Sequence, residues 1–306
     1  MNSLEEAPSI IEHSRDFDLP VGLKERLEQV IESFPVIERI KSDPVFFPRR
    51  FLCEKRPRRE VEAIGLFSAM LAYGKVQHFM RVIDLILNKC DDRFLDLISD
   101  KRPNICWPKY RLNTDNEIEI FARGIGKVIN DKGGLWESFK PGWDKDLTIK
   151  SGLISLHADL CRVVAGKVEA LPASLKHLLP NPASGSCVKR WNMFLRWMIR
   201  SDDGIDLGLW KNVSPSKLVI PLDRHISRIS RNLGLTERSQ DDWRTAQEIT
   251  DALRKMDPAD PVKYDFALCH LGISRVCTHG KNADDCLACG LRKFCRAGKN
   301  VRSVEK

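Results

Sequence analysis

No stretch of this chain approaches the roughly 20 consecutive apolar residues that a membrane-spanning helix needs. Sustained alternation of apolar and polar residues is also missing, which excludes a fold built on half-buried strands. No internal repeat or low-complexity segment stands out, so solenoid and disordered architectures fall away. Met1 to Asp18 is polar and acidic, without the apolar core of a secretion signal. The ten cysteines then read as reduced thiols, and the expected setting is the cytoplasm.

What is present is a globular composition. The 306 residues are 42% hydrophobic and 30% charged, enough to bury a core as one large domain or two lobes. The formal charge of +8 favours an acidic partner such as nucleic acid.

Helical spacing dominates. Leu23, Leu27, Val30, Ile31 and Phe34 form one stripe; Ile118, Phe121, Ile125 and Val128 a second. Ile149, Leu153, Leu156, Leu160 and Val163 form a third, and Trp243, Ala246, Ile249, Leu253 and Met256 a fourth. Val61 to Tyr73 is apolar almost all round, the mark of a buried helix. The fold expectation is therefore all-α. Breaks are predicted at Asp43–Arg50, Arg102-Pro103, Asp131–Gly134, Lys140–Gly142, Pro180–Ser186 and Met256–Pro261. Asp260-Pro261 is expected to open the helix leading to the last cysteines, and residues 296–306 to form a frayed basic tail.

Two clusters carry chemistry. Asp223 stands at the predicted start of a helix that stops at Gly234, where its side chain can accept backbone N–H bonds. The cationic or potentially cationic Arg224, His225, Arg228 and Arg231 follow it. Downstream, Cys277, Cys286, Cys289 and Cys295 are spaced C-x8-C-x2-C-x5-C, too dense for accidental core cysteines. Spacing alone leaves two readings open, a structural zinc site and a 4Fe-4S cluster. Lys281, Arg292, Lys293, Arg296 and Lys299 lie in or beside this loop, where they would present cations to phosphates. The other six cysteines read mostly as small core residues.

Lys189 follows Ser184-Gly185-Ser186, which reads as a helix cap. An amine in a first turn opposes the positive end of the helix dipole, so its pKa is expected below the ordinary value of about 10.4. A neutral amine there could attack the anomeric carbon of a deoxyribose. The plain alternatives are a solvated or phosphate-contacting lysine for Lys189 and a simple N-cap for Asp223. Trp191, Trp197 and Trp210 cluster around this helix and read mostly as core. Phe46, Phe47 and Phe51, interleaved with Arg49 and Arg50, line either a pocket or a packed arm. Lys55–Arg59 reads as solvated charge, with phosphate contact as the alternative.

Asp223, His225, Ile226 and Arg228 match the D-x-H-I/V-x-R motif of the helix-hairpin-helix DNA glycosylase superfamily, and the last three cysteines match its C-x2-C-x5-C spacing. The chain most resembles the endonuclease III and adenine-glycosylase branches. His270-Leu271-Gly272 is similar too. Pro221-Leu222-Asp223 and Asp265–Leu268 resemble an uncharacterised bacterial branch. Two departures stand out. The first cysteine gap is two residues longer than in that family, and its L-P-G-x-G-x-x-T-A hairpin is absent. Gly124-Ile125-Gly126-Lys127 imitates the hairpin inside a helix stripe. The archaeal 8-oxoguanine glycosylases also have a divergent hairpin and a longer lysine-to-aspartate gap; here it is 34 residues.

The resemblance implies a two-lobed helical fold with a cleft. Residues 1–74 would pack with the C-terminal lobe, 75–214 would form the middle lobe, 215–276 would carry the aspartate, and 277–306 would be the cluster loop and tail. It implies a DNA glycosylase with abasic-site lyase activity that excises a modified base. Asp223 and Lys189 would be catalytic, Cys277, Cys286, Cys289 and Cys295 would hold a 4Fe-4S cluster, and Arg190, Gln77, Arg224, His225, Arg228 and Lys293 would contact DNA. His225 reads as structural or phosphate-contacting rather than as a base. The expected form is a monomer on double-stranded DNA, away from membranes. The rivals are a non-catalytic iron–sulfur or zinc protein that binds DNA, and a redox or assembly protein whose basic charge is incidental.

Overall fold

The computed structural model of the protein describes residues 19–166, 171–273 and 277–301. The acidic start, residues 1–18, and the end of the basic tail, 302–306, lie outside these. Among the described residues there are sixteen helices and no strand. In chain order they are α1 (Leu23–Glu32), α2 (Val36–Ile40), α3 (Phe46–Cys53), α4 (Arg58–Leu71), α5 (Val76–Lys89) and α6 (Phe94–Ile98), then α7 (Asp115–Lys132), α8 (Leu135–Asp146), α9 (Ile149–Ala165) and α10 (Ala173–Leu178). The C-terminal third adds α11 (Lys189–Ile199), α12 (Arg224–Leu233), α13 (Trp243–Met256), α14 (Asp265–Ile273), α15 (Ala283–Ala288) and α16 (Arg296–Lys299). The all-α expectation holds. No helix among the described residues is long and apolar enough to cross a membrane.

The molecule is built on α4. Every residue from Val61 to Leu71 is buried, and the helix packs against α3, α6, α7, α8 and α11. A helix enclosed on all sides can hold a charge only where the charge is fully satisfied. Glu62 meets that condition: its carboxylate accepts bonds from the Leu135 N–H (2.9 Å), the Trp210 indole (2.7 Å) and Arg58 (2.7 Å). The middle of the chain, α6 to α9, forms one side of the molecule. On the other side the N-terminal segment packs on the C-terminal one. Tyr264 donates to Glu28 at 2.8 Å, Lys263 pairs with Glu28 at 2.6 Å, and Phe34 meets Phe266 edge-on.

Several local expectations are corrected. Lys140–Gly142 does not break the chain; α8 runs through Pro141, because Gly142 lies too close to the Ser151 carbonyl of α9 for a side chain to fit. Tight helix–helix contact there outweighs the proline's lost hydrogen bond. Phe46–Arg50 is likewise helical, with Pro48 in the first turn of α3, where no donor is lost. Asp260-Pro261 does not open α14; a turn covers that stretch and the helix begins at Asp265. The predicted tail starts as the short helix α16, with Arg296 paired to Glu237. Phe47 and Phe51 are fully buried, so that segment is a packed arm. Arg56 bonds to Glu54 and Arg58 to Glu62, which ties part of the Lys55–Arg59 run into the fold.

The Gly124–Lys127 imitation lies inside α7, as its position predicts. Gly124 faces Val164 of α9, and Gly126 faces the carbonyl of Ile98 in α6. These glycines serve helix packing.

Candidate active site

Asp223 caps α12. Its Oδ1 accepts the N–H groups of His225 (2.8 Å) and Ile226 (2.9 Å), and Gly234 closes the helix in the left-handed conformation, as predicted. That leaves Oδ2 free of the cap, and Oδ2 lies 3.5 Å from the Lys189 amine and 3.4 Å from the Cys269 thiol.

Lys189 is the first residue of α11, with the non-glycine Val188 at φ 39° before it. The Ser184-Gly185-Ser186 cap is not formed; those residues belong to the preceding loop. That loop is fastened to the start of α13 by the Trp243 N–H, which donates to the Gly185 carbonyl at 2.9 Å. The Cys187 thiol donates to the Leu222 carbonyl beside Asp223 at 3.4 Å. These ties bring together two side chains 34 positions apart.

Both groups line a cavity of about 770 Å³ between the α4–α5 connection, α11, α12 and α14. Gln77, Arg224 and His225 line it too, and so do the flat or broad side chains of Tyr73, Met193, Trp197 and Phe266. Trp191, Trp197 and Trp210 are fully buried, as the core reading expects, although Trp197 also reaches the cavity floor.

The expectation of a depressed lysine pKa is overturned. Burial pulls the Lys189 amine down, but Asp223 first, then Asp265 and Asp43, act in the other direction and hold it above the ordinary lysine value. Burial pushes Asp223 up, but Lys189, the Ile226 N–H, His225 and the Cys269 thiol outweigh it, and Asp223 sits below the usual carboxylate range. Asp265, one turn before Cys269, is raised to about 6 by burial and by the charge of Asp223, against the pull of Arg196.

Arg196 lines the cavity, with its guanidinium held in ion pairs. It is buried between Asp206 (3.1 Å) and Asp265, and Arg200 joins Asp206 and Asp260 in the same network. Arg190, an expected DNA contact, bonds instead to the carbonyls of Met70 and His177 and lies over the Tyr73 ring. It braces α11 against α4. Arg228 and Lys293 are exposed outside the cavity, Arg228 near His279 and Lys293 in a hollow beside Arg26 and Arg292.

The residue reading missed Asp43, Asp265 and Cys269, which also line the cavity. Asp265 and Cys269 are four apart on one helix, a spacing that places a carboxylate and a thiol on one face. Leu112 is 62% exposed on the turn between Tyr110 and Asn113, and that turn is fixed to Tyr73 at the cavity rim by a hydrogen bond between Asn113 and the Tyr73 hydroxyl (2.7 Å).

The cysteine loop wraps over α12 and α1. The Arg26 side chain donates to the Gly290 carbonyl at 2.7 Å, and Arg296 approaches Gly234. None of the ten cysteines forms a disulfide. Cys277, Cys286, Cys289 and Cys295 are close enough to influence one another: burial first, then the other sulfurs, raises the Cys277 and Cys289 pKa values. Among the described residues, no three His, Cys, Asp or Glu side chains stand in a metal-holding arrangement. The donor set itself, four soft thiols in one loop, suits a four-thiolate centre.

A family model described as "Protein of unknown function (DUF2400)" matches residues 43–274. The matched span contains Lys189, Asp223 and Cys269 and ends before Cys277. No curated protein and no solved structure matches the chain.

Proposed function

We propose that this chain, which belongs to the DUF2400 family, is a DNA glycosylase with abasic-site lyase activity that removes a modified base. The reading rests on one observation. An amine and a carboxylate lie 3.5 Å apart, each at a helix start, in an open cavity of about 770 Å³. Broad side chains of the kind that hold a flipped base line the same cavity.

In the proposed reaction Asp223, kept ionised, faces the positive charge that develops on the sugar as the glycosidic bond breaks. The bonding electrons leave with the base nitrogen, which takes up a proton. The free-base form of Lys189 bonds to C1′ and gives up a proton. Opening of the sugar ring, with a proton going to its oxygen, leaves an imine between Lys189 and the sugar. Loss of a C2′ proton then expels the 3′ phosphate and nicks the strand. Gln77, exposed at the cavity, and Leu112, exposed on the turn tied to Tyr73, are the side chains that would reach into the base stack. Arg224, His225, Arg228 and Lys293 would meet phosphates. Cys277, Cys286, Cys289 and Cys295 would hold a 4Fe-4S cluster, or zinc in the alternative, and the centre would cross-link the loop that carries Lys293.

Borohydride trapping on abasic and lesion-bearing duplexes tests the proposal. Wild type should form a covalent adduct, Lys189→Ala none, and Asp223→Asn should slow base release by about 100-fold or more. A missing wild-type adduct, or an undiminished one with Lys189→Ala, removes the lyase step. Binding without base loss on any lesion would leave the non-catalytic DNA-binding rival.

A further inference from the structure

We propose that Cys269 is a positioning residue that holds the Asp223 carboxylate off the Lys189 amine, so that the amine can be freed for reaction. This rests on the lyase reading above and assigns a further residue to the same site.

The geometry carries it. A charged amine and a carboxylate in full contact sit about 2.7–2.9 Å apart, yet Lys189 and Asp223 are separated by 3.5 Å. Asp223 cannot turn toward the amine freely. Its Oδ1 is held by two backbone N–H groups of α12, and its Oδ2 also receives the Cys269 thiol at 3.4 Å. The thiol is brought there by a close helix contact: Gly272 of α14 packs so tightly on His225 that a Cβ would stand 2.6 Å from the His225 ring. Burial first, then the surrounding carboxylates, keeps Cys269 well above the ordinary thiol pKa, so it stays S–H and donates. Once Lys189 bonds to carbon, the thiol and the helix N–H groups remain on the carboxylate and keep it in place.

Other groups act on the Lys189 amine and stay constant in the test. Asp43 precedes α3, Asp265 lies on α14, His225 on α12, and Cys187 in the amine's own loop.

The experiment measures adduct formation on an abasic duplex with borohydride, as a function of pH, for the full-length wild type, Cys269→Ala, Cys269→Val and Cys269→Ser. Without a donor the carboxylate closes on the amine, and the alkaline limb should move up by about half a pH unit, roughly a threefold loss at pH 8. Serine restores a donor and should return the limb to the wild-type position. A role in packing alone predicts the reverse order, with valine best and serine worst, and an unmoved limb. An unmoved limb in Ala and Val, or an equal shift in Ser, overturns the proposal. Should wild type give no adduct at any pH, the lyase reading fails, and NMR titration of the Lys189 amine in the same variants still decides the role of Cys269: a midpoint raised in Ala and Val but not in Ser supports it, and an unmoved midpoint rejects it.

Discussion

Lys189 sits in the most consequential electrostatic environment of the chain. A lone amine at a helix start would lose affinity for its proton, but the charges of three carboxylates, Asp223, Asp265 and Asp43, act on this one. The net effect is a raised pKa, so the ammonium dominates at neutral pH and the reactive free amine is the minority form. The sign of the pH dependence follows. Each step upward in pH below that pKa enlarges the free-amine fraction, and the single-turnover nicking rate at saturating protein should climb from neutral pH into the alkaline range. A flat profile over that range would show that Lys189 is already deprotonated at rest, contrary to the ion pair at 3.5 Å.

Helices are placed here by close contacts as much as by propensity. The two glycines of α7 let α9 and α6 approach its backbone, and a side chain at Gly126 would meet the Ile98 carbonyl, which cannot yield as a flexible side chain could. Gly126→Ala should therefore destabilise the fold by about 1–3 kcal/mol, read as a lower urea midpoint with unchanged slope. Gly133→Ala has open space but a φ of 96°, so its cost would come from backbone strain alone. An unaltered midpoint for Gly126→Ala would mean that α6 shifts to make room. The α12 cap belongs to the same scale: Asp223 serves both helix and cavity because a carboxylate has two oxygens and the cap uses one.

For the whole molecule, the charge of +8 is the quantity that bears on a polyanionic partner. If the cavity and the cysteine loop engage duplex DNA as proposed, affinity must fall as salt rises, with a slope of about −0.9 per phosphate contacted. Removing Arg228 or Lys293 should flatten that slope by about one each without changing which base is preferred. Measured by anisotropy across a salt series, a weak affinity indifferent to salt would point to incidental charge.

Much of this was legible beforehand. Apolar spacing located α1, α7, α9 and α13, and the Asp223–Gly234 signals bounded α12, because burial periodicity and caps are local properties. Arg190 was read as a DNA contact because a guanidinium looks alike in sequence whether it faces solvent or bonds to carbonyls of other segments. The break at 140–142 failed for the same reason, since the compensating contact comes from α9, whereas 46–50 is helical because Pro48 falls in a first turn.

The sequence by itself determined the helical class, the cap at Asp223 and the grouping of four thiols, since each depends on residues within a few turns of one another. Only the tertiary structure decided that the Lys189 amine meets Asp223, that Cys269 shares the same oxygen, and that the amine is held charged. Those outcomes depend on how α11, α12 and α14 converge, and electrostatics in a cavity is set by distance through space rather than by separation along the chain.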